Sequence, residues 1–241
     1  MDFDGVIADS ISECAVSGFN GYGLYNEKSL KVTDPGKIDP NKLIIFNKTR
    51  PFIRSGEDYI YLFQAIEERV IINSQSDFDS FKNKYLNRNE LYRSYFKQAR
   101  EWLMNTQKNE WIKLNSIYNG MKEFLNSNSL DMHIISTKAS KFINEILLQN
   151  EISIKENNVH STQDGLSKSE ILTKIMLDSN YDPINTYYID DHLDTLTKMK
   201  STKANCLLAA WGYNNNDVDV NQNNSILMID LKNFYRSFSI S

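Results

Sequence analysis

Residues 2–6 read Asp2-Phe3-Asp4-Gly5-Val6, and Asp9-Ser10 follow shortly after them. In extended backbone, the carboxylates of Asp2 and Asp4 point to the same side because they are two residues apart. Gly5 lets the chain turn tightly directly after the pair. Such a pair can hold a hard cation, and one member can act as a nucleophile. Taken alone, the stretch is equally consistent with a polar turn between a strand and a helix.

Two further segments place polar groups where a helix is predicted to begin. In Ile134-Ile135-Ser136-Thr137-Lys138, an apolar run ends in two hydroxyl residues, and hydroxyls at a helix start can bind an anion together with backbone N–H groups. By itself, this pattern is more often an ordinary helix cap. Lys168 follows the predicted cap Ser167, where a cation opposes the helix dipole. It is either a solvated surface lysine or a group directed at bound phosphate.

An acidic cluster follows an apolar run in Ile189-Asp190-Asp191-His192-Leu193-Asp194. Like charges at the end of a strand repel one another unless a cation compensates them. Magnesium is typically held by one or two carboxylates together with substrate oxygens. We therefore favour a metal-binding interpretation of this segment over a solvated face.

From about residue 129 onward, short apolar runs alternate with segments of helical periodicity. Strands are predicted at 132–135, 187–189, 206–210 and 226–229, and helices at 139–149 and 167–178. The second helix begins with the capping box Ser167-x-x-Glu170. Alternating strands and helices predict a mostly parallel sheet. The four polar motifs lie at strand ends or helix starts, where open α/β sheets bind ligands.

Residues 12–117 show helical patterns and few strand signals. Ser55-Gly56-Glu57-Asp58 is predicted to cap a helix, and the aromatic stripe from Phe78 to Trp102 fits one or two long amphipathic helices. Ordinary connections between a strand and a helix are only about 2–6 residues long. We therefore predict an inserted helical domain over residues 12–117 and a core domain formed by residues 1–11 and 118–241.

The balance of charged residues argues against two classes of binding partner. The 241 residues include 27 Lys and Arg against 31 Asp and Glu, a net charge of −4. Proteins that coat nucleic acid or an anionic membrane need a basic excess, so we expect neither partner. Because the chain has no long apolar run and no apolar leader, we expect a cytoplasmic protein without a membrane span. Cys14 and Cys206 stand alone, which favours neither a zinc site nor a disulfide framework.

Together, the motifs resemble those of haloacid dehalogenase superfamily phosphatases, in the phosphoglycolate phosphatase-like branch with a helical cap. The resemblance implies an α/β fold with a Rossmann-like parallel-sheet core and an inserted α-helical cap domain. In the cap it extends only to position and helical character. The segments similar to the family's four motifs are, in order, Asp2-x-Asp4-Gly5-Val6, Ile135-Ser136-Thr137-Lys138, Lys168 and Asp190-Asp191. Tyr118-Asn119-Gly120 and Trp211-Gly212-Tyr213 resemble further core segments of this branch.

The resemblance also implies a magnesium-dependent phosphatase that acts on a small phosphorylated metabolite. Asp2 would attack phosphorus, and Asp4 would protonate the leaving oxygen and then activate water. Lys168 would neutralise charge on the nucleophile and on the phosphoryl group. The implied phosphate-binding groups are Gly5, Ser136, Thr137 and Lys168.

For magnesium, the implied ligands are the Asp2 carboxylate, the Asp4 main-chain carbonyl and a carboxylate of the fourth motif. Two registers of that motif are open. Either Asp191 is the main ligand, or Asp190 is the ligand and Asp194 is the second acid of the motif. We favour Asp191, with Asp190 and Asp194 as supporting acids.

The nucleophile of this family ends a central strand, whereas only Met1 precedes Asp2 in this sequence. We expect that residues upstream of Met1 complete the strand. The alternative is a sheet that lacks most of its central strand, which would weaken the case for activity.

In the cap, Arg54 and Arg50 are candidate contacts for a substrate anion, although ordinary surface arginines are the more common case. Two other functions use the same residues. One is a phosphomutase of the β-phosphoglucomutase type, which would protect the aspartyl-phosphate from water. The other is a non-catalytic binding protein derived from this fold. We expect a monomer or a homodimer.

Overall fold

The computed structural model describes residues 1–29, 32–128, 132–214 and 226–238. The chain divides into two compact units. Met1–Asp9 and Ile117–Ser241 form the first, which we name the core unit, and Ser10–Ser116 form the second, the helical unit. The breaks fall after Asp9 and Ser116, against predicted breaks after residues 11 and 117. Among the described residues, no helix combines the length and the apolar character that a membrane crossing needs.

Six helices within the described residues build the helical unit. They are α1 (Ile11–Tyr25), α2 (Pro40–Thr49), α3 (Gly56–Glu67), α4 (Gln75–Lys84), α5 (Asn89–Thr106) and α6 (Lys108–Lys113). Helices α1, α3 and α5 pack against one another. Aromatic rings line this packing: the Tyr59 ring of α3 stacks on Phe96 of α5, with a centroid distance of 5.4 Å, and on Phe46 of α2 at 5.6 Å. The predicted cap at Ser55 is a capping box with Asp58, and the predicted aromatic stripe spans α4 and α5.

Between residues 116 and 209, strands and helices alternate along the chain. The strands are β1 (Ala8–Asp9), β2 (Ser116–Ile117), β3 (Ile134–Ser136), β4 (Val159–Ser161), β5 (Tyr187–Asp190), β6 (Asn205–Ala209) and β7 (Ile226–Ile229). The helices are α7 (Met121–Ser127), α8 (Ser140–Gln149), α9 (Lys168–Ser179), α10 (Leu193–Met199) and α11 (Leu231–Phe238). Short 3-10 helices lie at Pro35–Lys37, Arg50–Phe52, Leu86–Arg88, Glu156–Asn158, Thr162–Asp164, Pro183–Asn185 and Lys200–Thr202.

The predicted parallel sheet is confirmed in two parts, β4–β3 and β5–β6–β7. Met1 and Asp2 connect them. The Ile135 N–H donates to the Met1 carbonyl at 2.9 Å, and the Asp2 N–H donates to the Ile189 carbonyl at 2.8 Å. The amino group of Met1 donates to the His133 carbonyl at 2.8 Å. Asp2 therefore lies between the carboxyl ends of β3 and β5.

The core unit contains a cavity of about 660 Å³. Its walls include Met1, His133, Leu172, Tyr188 and Phe234. The expectation that further residues complete the strand before Asp2 stays a prediction.

Behind the carboxyl ends of the strands, apolar side chains of α9 and α10 pack against the sheet. The buried cluster comprises Ile135, Ile171, Leu172, Ile175, Met176, Tyr188, Leu196, Met199, Ala204, Cys206, Leu208 and Ile226. The predicted capping box begins α9: the Glu170 N–H donates to Ser167 Oγ, and the Ser167 N–H donates to the Glu170 carboxylate. This packing and this cap fix where α9 begins relative to β5.

Candidate active site

Asp2 is buried, with 6% of its surface exposed. Its Oδ2 accepts a hydrogen bond from Lys168 Nζ at 2.6 Å, and its Oδ1 accepts one from the Phe3 N–H at 2.7 Å. Lys168 is the first residue of α9, so the capping box of Ser167 and Glu170 sets the origin of its side chain. The lysine is thus directed at the predicted nucleophile and not at solvent.

Asp190 ends β5 and is fully buried. Its Oδ2 accepts hydrogen bonds from Lys168 Nζ at 2.8 Å and from the Tyr188 hydroxyl at 3.2 Å. Its Oδ1 accepts the His192 N–H at 2.9 Å. Three donors hold Asp190, which in turn fixes the ammonium group that faces Asp2.

Asp191 lies beside two glycine turns. Its Oδ2 accepts the Tyr213 N–H at 2.7 Å, and the Tyr213 hydroxyl donates to Asp9 Oδ1 at 2.7 Å. Gly5 has a φ of +81°, and a Cβ there would lie 2.3 Å from Asp191 Oδ2. A Cβ on Gly212 would lie 2.3 Å from the Asp191 Cβ. Only glycine at both positions lets the chain come this close to Asp191.

Asp4 has a different lysine partner from Asp2. Its Oδ1 lies 2.7 Å from Lys138 Nζ, and the lysine side chain is 1% exposed. Ser136 is buried at the end of β3, and its Oγ accepts the Lys138 N–H at 3.3 Å. Thr137 is exposed. Through Lys138, the Asp4 carboxylate and the hydroxyl of Ser136 lie close together.

The electrostatics favour a charged lysine among the acids. Burial lowers the pKa of Lys168, but the carboxylates of Asp190 and Asp2 outweigh it and raise this pKa well above its usual value. Burial raises the pKa of Asp2, and the charge of Lys168 opposes that rise. Burial also raises the pKa of Tyr188 well above its usual value, so its hydroxyl stays a proton donor to Asp190.

The donor set fits a divalent cation. Asp2, Asp190 and Asp191 each offer a carboxylate oxygen within 4.8 Å of the others, and all three are buried. Two of these carboxylates, Asp2 and Asp190, share the ammonium group of Lys168, so the acids in contact with this lysine outnumber it. Carboxylate oxygens are the ligands that magnesium prefers.

Two predicted site residues lie outside this cluster. Asp194 is exposed in the first turn of α10 and is not part of the three-carboxylate group. Arg54 belongs to the helical unit, where its Nη1 donates to the Pro51 carbonyl at 2.7 Å.

Three site residues received no role from the sequence: Lys138, Tyr188 and Tyr213. Tyr188 had a usable signal, since it precedes Asp190 by two residues on a strand and therefore shares its face. Lys138 and Tyr213 lie in motifs that the sequence singled out, but their partners are distant along the chain. Tyr213 is 204 residues from Asp9, so spacing could not reveal the contact.

Solved structures resemble this chain over nearly its whole length, although no protein-family model and no curated protein matches it. A predicted phosphoglycolate phosphatase from Haemophilus somnus superposes with a TM-score of 0.63 at 13% identity, over 98% of this chain and 95% of that one. A haloacid dehalogenase-like family hydrolase from Streptococcus pneumoniae gives 0.57 at 14% identity, over 98% and 95%. A predicted phosphatase from Clostridium acetobutylicum gives 0.57 at 14% identity, over 98% and 94%. The α/β fold that the motifs predicted is thereby confirmed: the chain has the fold of the haloacid dehalogenase-like hydrolases.

Proposed function

We propose that this chain is a magnesium-dependent phosphatase that hydrolyses a small phosphorylated metabolite through an aspartyl-phosphate. The observation that carries the proposal is the contact of Lys168 with both Asp2 and Asp190. In this contact, a buried carboxylate has an ammonium group beside it, and Asp191 offers a further carboxylate oxygen within 4.8 Å. The phosphatases among the structures of the same fold support it.

In the first step, an oxygen of Asp2 attacks phosphorus, and the bond from phosphorus to the ester oxygen breaks. Asp4, in its protonated form, gives its proton to the leaving oxygen, so the alcohol departs neutral. Lys168 stabilises the negative charge that develops on the transferring group. Ser136 Oγ and the N–H groups of the turn that follows it orient the phosphoryl oxygens.

In the second step, water attacks the phosphorus of the aspartyl-phosphate. Asp4, now a carboxylate, takes a proton from this water as its oxygen forms the new bond. The bond from phosphorus to the Asp2 oxygen breaks, and inorganic phosphate leaves. Asp2 is again a carboxylate and Asp4 is again protonated, so the cycle closes.

Magnesium, when bound, would neutralise charge on the phosphate oxygens and so favour attack by the Asp2 carboxylate on phosphorus. We assign its ligands to the Asp2 and Asp191 carboxylates and to the Asp4 main-chain carbonyl. Asp190 is less suited because its oxygens already accept hydrogen bonds from Lys168, Tyr188 and His192. We therefore give Asp190 the role of orienting Lys168.

We infer that the helical unit selects the substrate. Its chain is inserted between Asp9 and Ile117, directly after the turn that carries Asp2 and Asp4. Inserted units of this kind commonly close over a reacting group and exclude bulk water. Arg54 and Arg50 remain its candidate anion contacts.

The test is phosphate release from a panel of small esters, including phosphoglycolate, hexose phosphates and nucleoside monophosphates, in magnesium and in EDTA. We expect release that requires magnesium and is lost in Asp2→Asn. Asp178→Asn is the matched control, since this acid is exposed on the same unit and should leave turnover unchanged. Trapping of a phosphorylated Asp2 by mass spectrometry would establish the covalent intermediate.

Several outcomes would overturn the proposal. Release that persists in Asp2→Asn would exclude this nucleophile. Conversion of a sugar phosphate to its isomer without release would identify a mutase. A folded wild-type protein that releases no phosphate from any ester would favour a binding role.

A further inference from the structure

The proposed mechanism leaves one buried charge unused, the ammonium group of Lys138. Its side chain is 1% exposed, and its Nζ lies 2.7 Å from Asp4 Oδ1 and 5.2 Å from the centre of the Phe3 ring. A lysine is almost never fully buried unless it is paired, because removing its charge from water is costly. The position also has no role in forming a helix, since α8 begins only at Ser140, with Ala139 as its cap.

Because of this second lysine, each of the two acids of the first motif has a lysine partner of its own. Lys168 contacts Asp2, the attacking group, and Lys138 contacts Asp4, the group that moves protons. As Asp4 gives up its proton in the first step, negative charge develops on its carboxylate. An ammonium group already in place stabilises that charge without reorganisation. It also fixes one carboxylate oxygen, so that the carboxyl group presents its other oxygen to the leaving group.

We propose that Lys138 is the positioning residue of the acid–base group: it holds Asp4 in place for proton transfer to the leaving oxygen. The inference rests on the proposed phosphatase function and concerns a contact within the core unit. If the inference is right, removing Lys138 must lower the rate most for esters whose leaving group needs a proton.

The experiment compares two esters with the full chain in magnesium. p-Nitrophenyl phosphate releases a stabilised phenolate that needs little protonation, whereas an alkyl ester such as glycerol phosphate releases a basic alkoxide. The value of kcat/KM reports formation of the aspartyl-phosphate, which is the step that contains the leaving group. We expect Lys138→Met to lower kcat/KM for the alkyl ester about 100-fold, which is the lower end of the rate effects typical of general acid catalysis. For the aryl ester, the loss in kcat/KM should be at least about tenfold smaller.

Three variants complete the design. Lys138→Arg keeps the charge and should restore the ratio between the two esters. Lys141→Met changes an exposed lysine three residues further on and should leave the ratio unchanged. In an Asp4→Asn background, Lys138→Met should add nothing to the change in the ratio, because both substitutions remove the same proton transfer. If Lys138→Met does not fold, Lys138→Gln, which keeps a polar head group, takes its place.

The outcomes separate the two proposals. If the wild type releases phosphate neither from these two esters nor from any ester of the panel above, the phosphatase proposal fails. If the wild type is active but Lys138→Met or Lys138→Gln lowers kcat/KM equally for both esters, Lys138 does not act through Asp4 and the inference is wrong. A full additional loss in the Asp4→Asn background would also overturn it.

Discussion

Both units bury charged side chains, but they balance them differently. In the helical unit, Glu13 and Arg100 form a one-to-one pair with two contacts, Nε to Oε1 at 2.9 Å and Nη2 to Oε2 at 2.7 Å. In the core unit, Lys168 contacts both Asp2 and Asp190, and Asp191 offers a third carboxylate oxygen within 4.8 Å of theirs. The first arrangement is complete within the protein. In the second, two carboxylates share one lysine, and a bound divalent cation would offset their excess of negative charge.

This difference in charge balance indicates which unit contains the candidate reactive site. A neutral buried pair, such as Glu13 with Arg100, serves the packing of α1 on α5, and a second pair in this unit joins Glu57 to Arg93 at 2.7 Å. A cluster with surplus charge costs stability unless something binds to it. Substitutions should therefore affect activity in the core unit and stability in the helical unit.

The largest effect is expected for Asp2→Asn. Loss of the proposed nucleophile should lower kcat by about 10⁴-fold or more. The thermal midpoint should stay the same or rise, because the cluster loses one negative charge while Lys168 keeps its contact with Asp190. Phosphate release and a thermal melt on the same sample check both parts. A protein that loses activity only because it unfolds would break the comparison.

Arg100→Met should have the largest effect on stability. It leaves the Glu13 carboxylate buried without its guanidinium, which costs about 3–5 kcal/mol of the free energy of unfolding. Denaturant titration measures this loss. The double variant Glu13→Gln with Arg100→Met should recover part of it, because no uncompensated charge remains. A single variant as stable as the wild type would show that the pair contributes little.

Magnesium should raise the thermal midpoint of the wild type, since the ion binds the folded site and not the unfolded chain. At 100 times the dissociation constant, the gain is about 2.7 kcal/mol. Asp191→Asn should lose most of this gain, whereas Asp194→Asn should keep it because Asp194 is exposed and outside the cluster. The reverse pattern would place the ligand in the other register of the fourth motif.

The smallest expected effect is on the pH dependence of the stability of the helical unit. Burial raises the pKa of Glu57, but hydrogen bonds from Arg93 and the backbone outweigh it, and the net pKa is lower than usual. A lowered pKa contributes stability above the unfolded value of 4.5 that is lost as the pH falls through the folded value. Because Arg93 is 53% exposed and solvent screens the pair, we expect its contribution to the free energy of unfolding to be about 1 kcal/mol or less. Glu57→Gln should flatten the pH dependence of unfolding in this range, and an unchanged slope would contradict the assignment.

The sequence predicted the parts of the fold that leave local signals. The capping box at Ser167 placed Lys168 in the first turn of α9, and the apolar run before Asp190 predicted β5. By contrast, β4 has only three residues, with the polar His160 in its centre, so no alternation reveals it. Helix α11 is eight residues long and was not predicted.

The division of roles between Asp190 and Asp191 could not be predicted. The two acids are adjacent, and adjacent side chains in extended backbone point to opposite faces. Which face meets Lys168 depends on α9, and which meets Tyr213 depends on a segment 22 residues further along. Contacts of this kind are set by tertiary packing, for which a motif carries no signal.

The split of the core unit into two chain segments has a consequence for synthesis on the ribosome. Lys168 lies 166 residues after Asp2, a stretch that takes roughly 10–30 s to translate at bacterial and eukaryotic elongation rates. The helical unit, Ser10–Ser116, is complete well before that. A nascent chain stalled at about residue 150 therefore has the helical unit outside or just leaving the exit tunnel, while Asp2 still lacks its partners on β5 and Lys168.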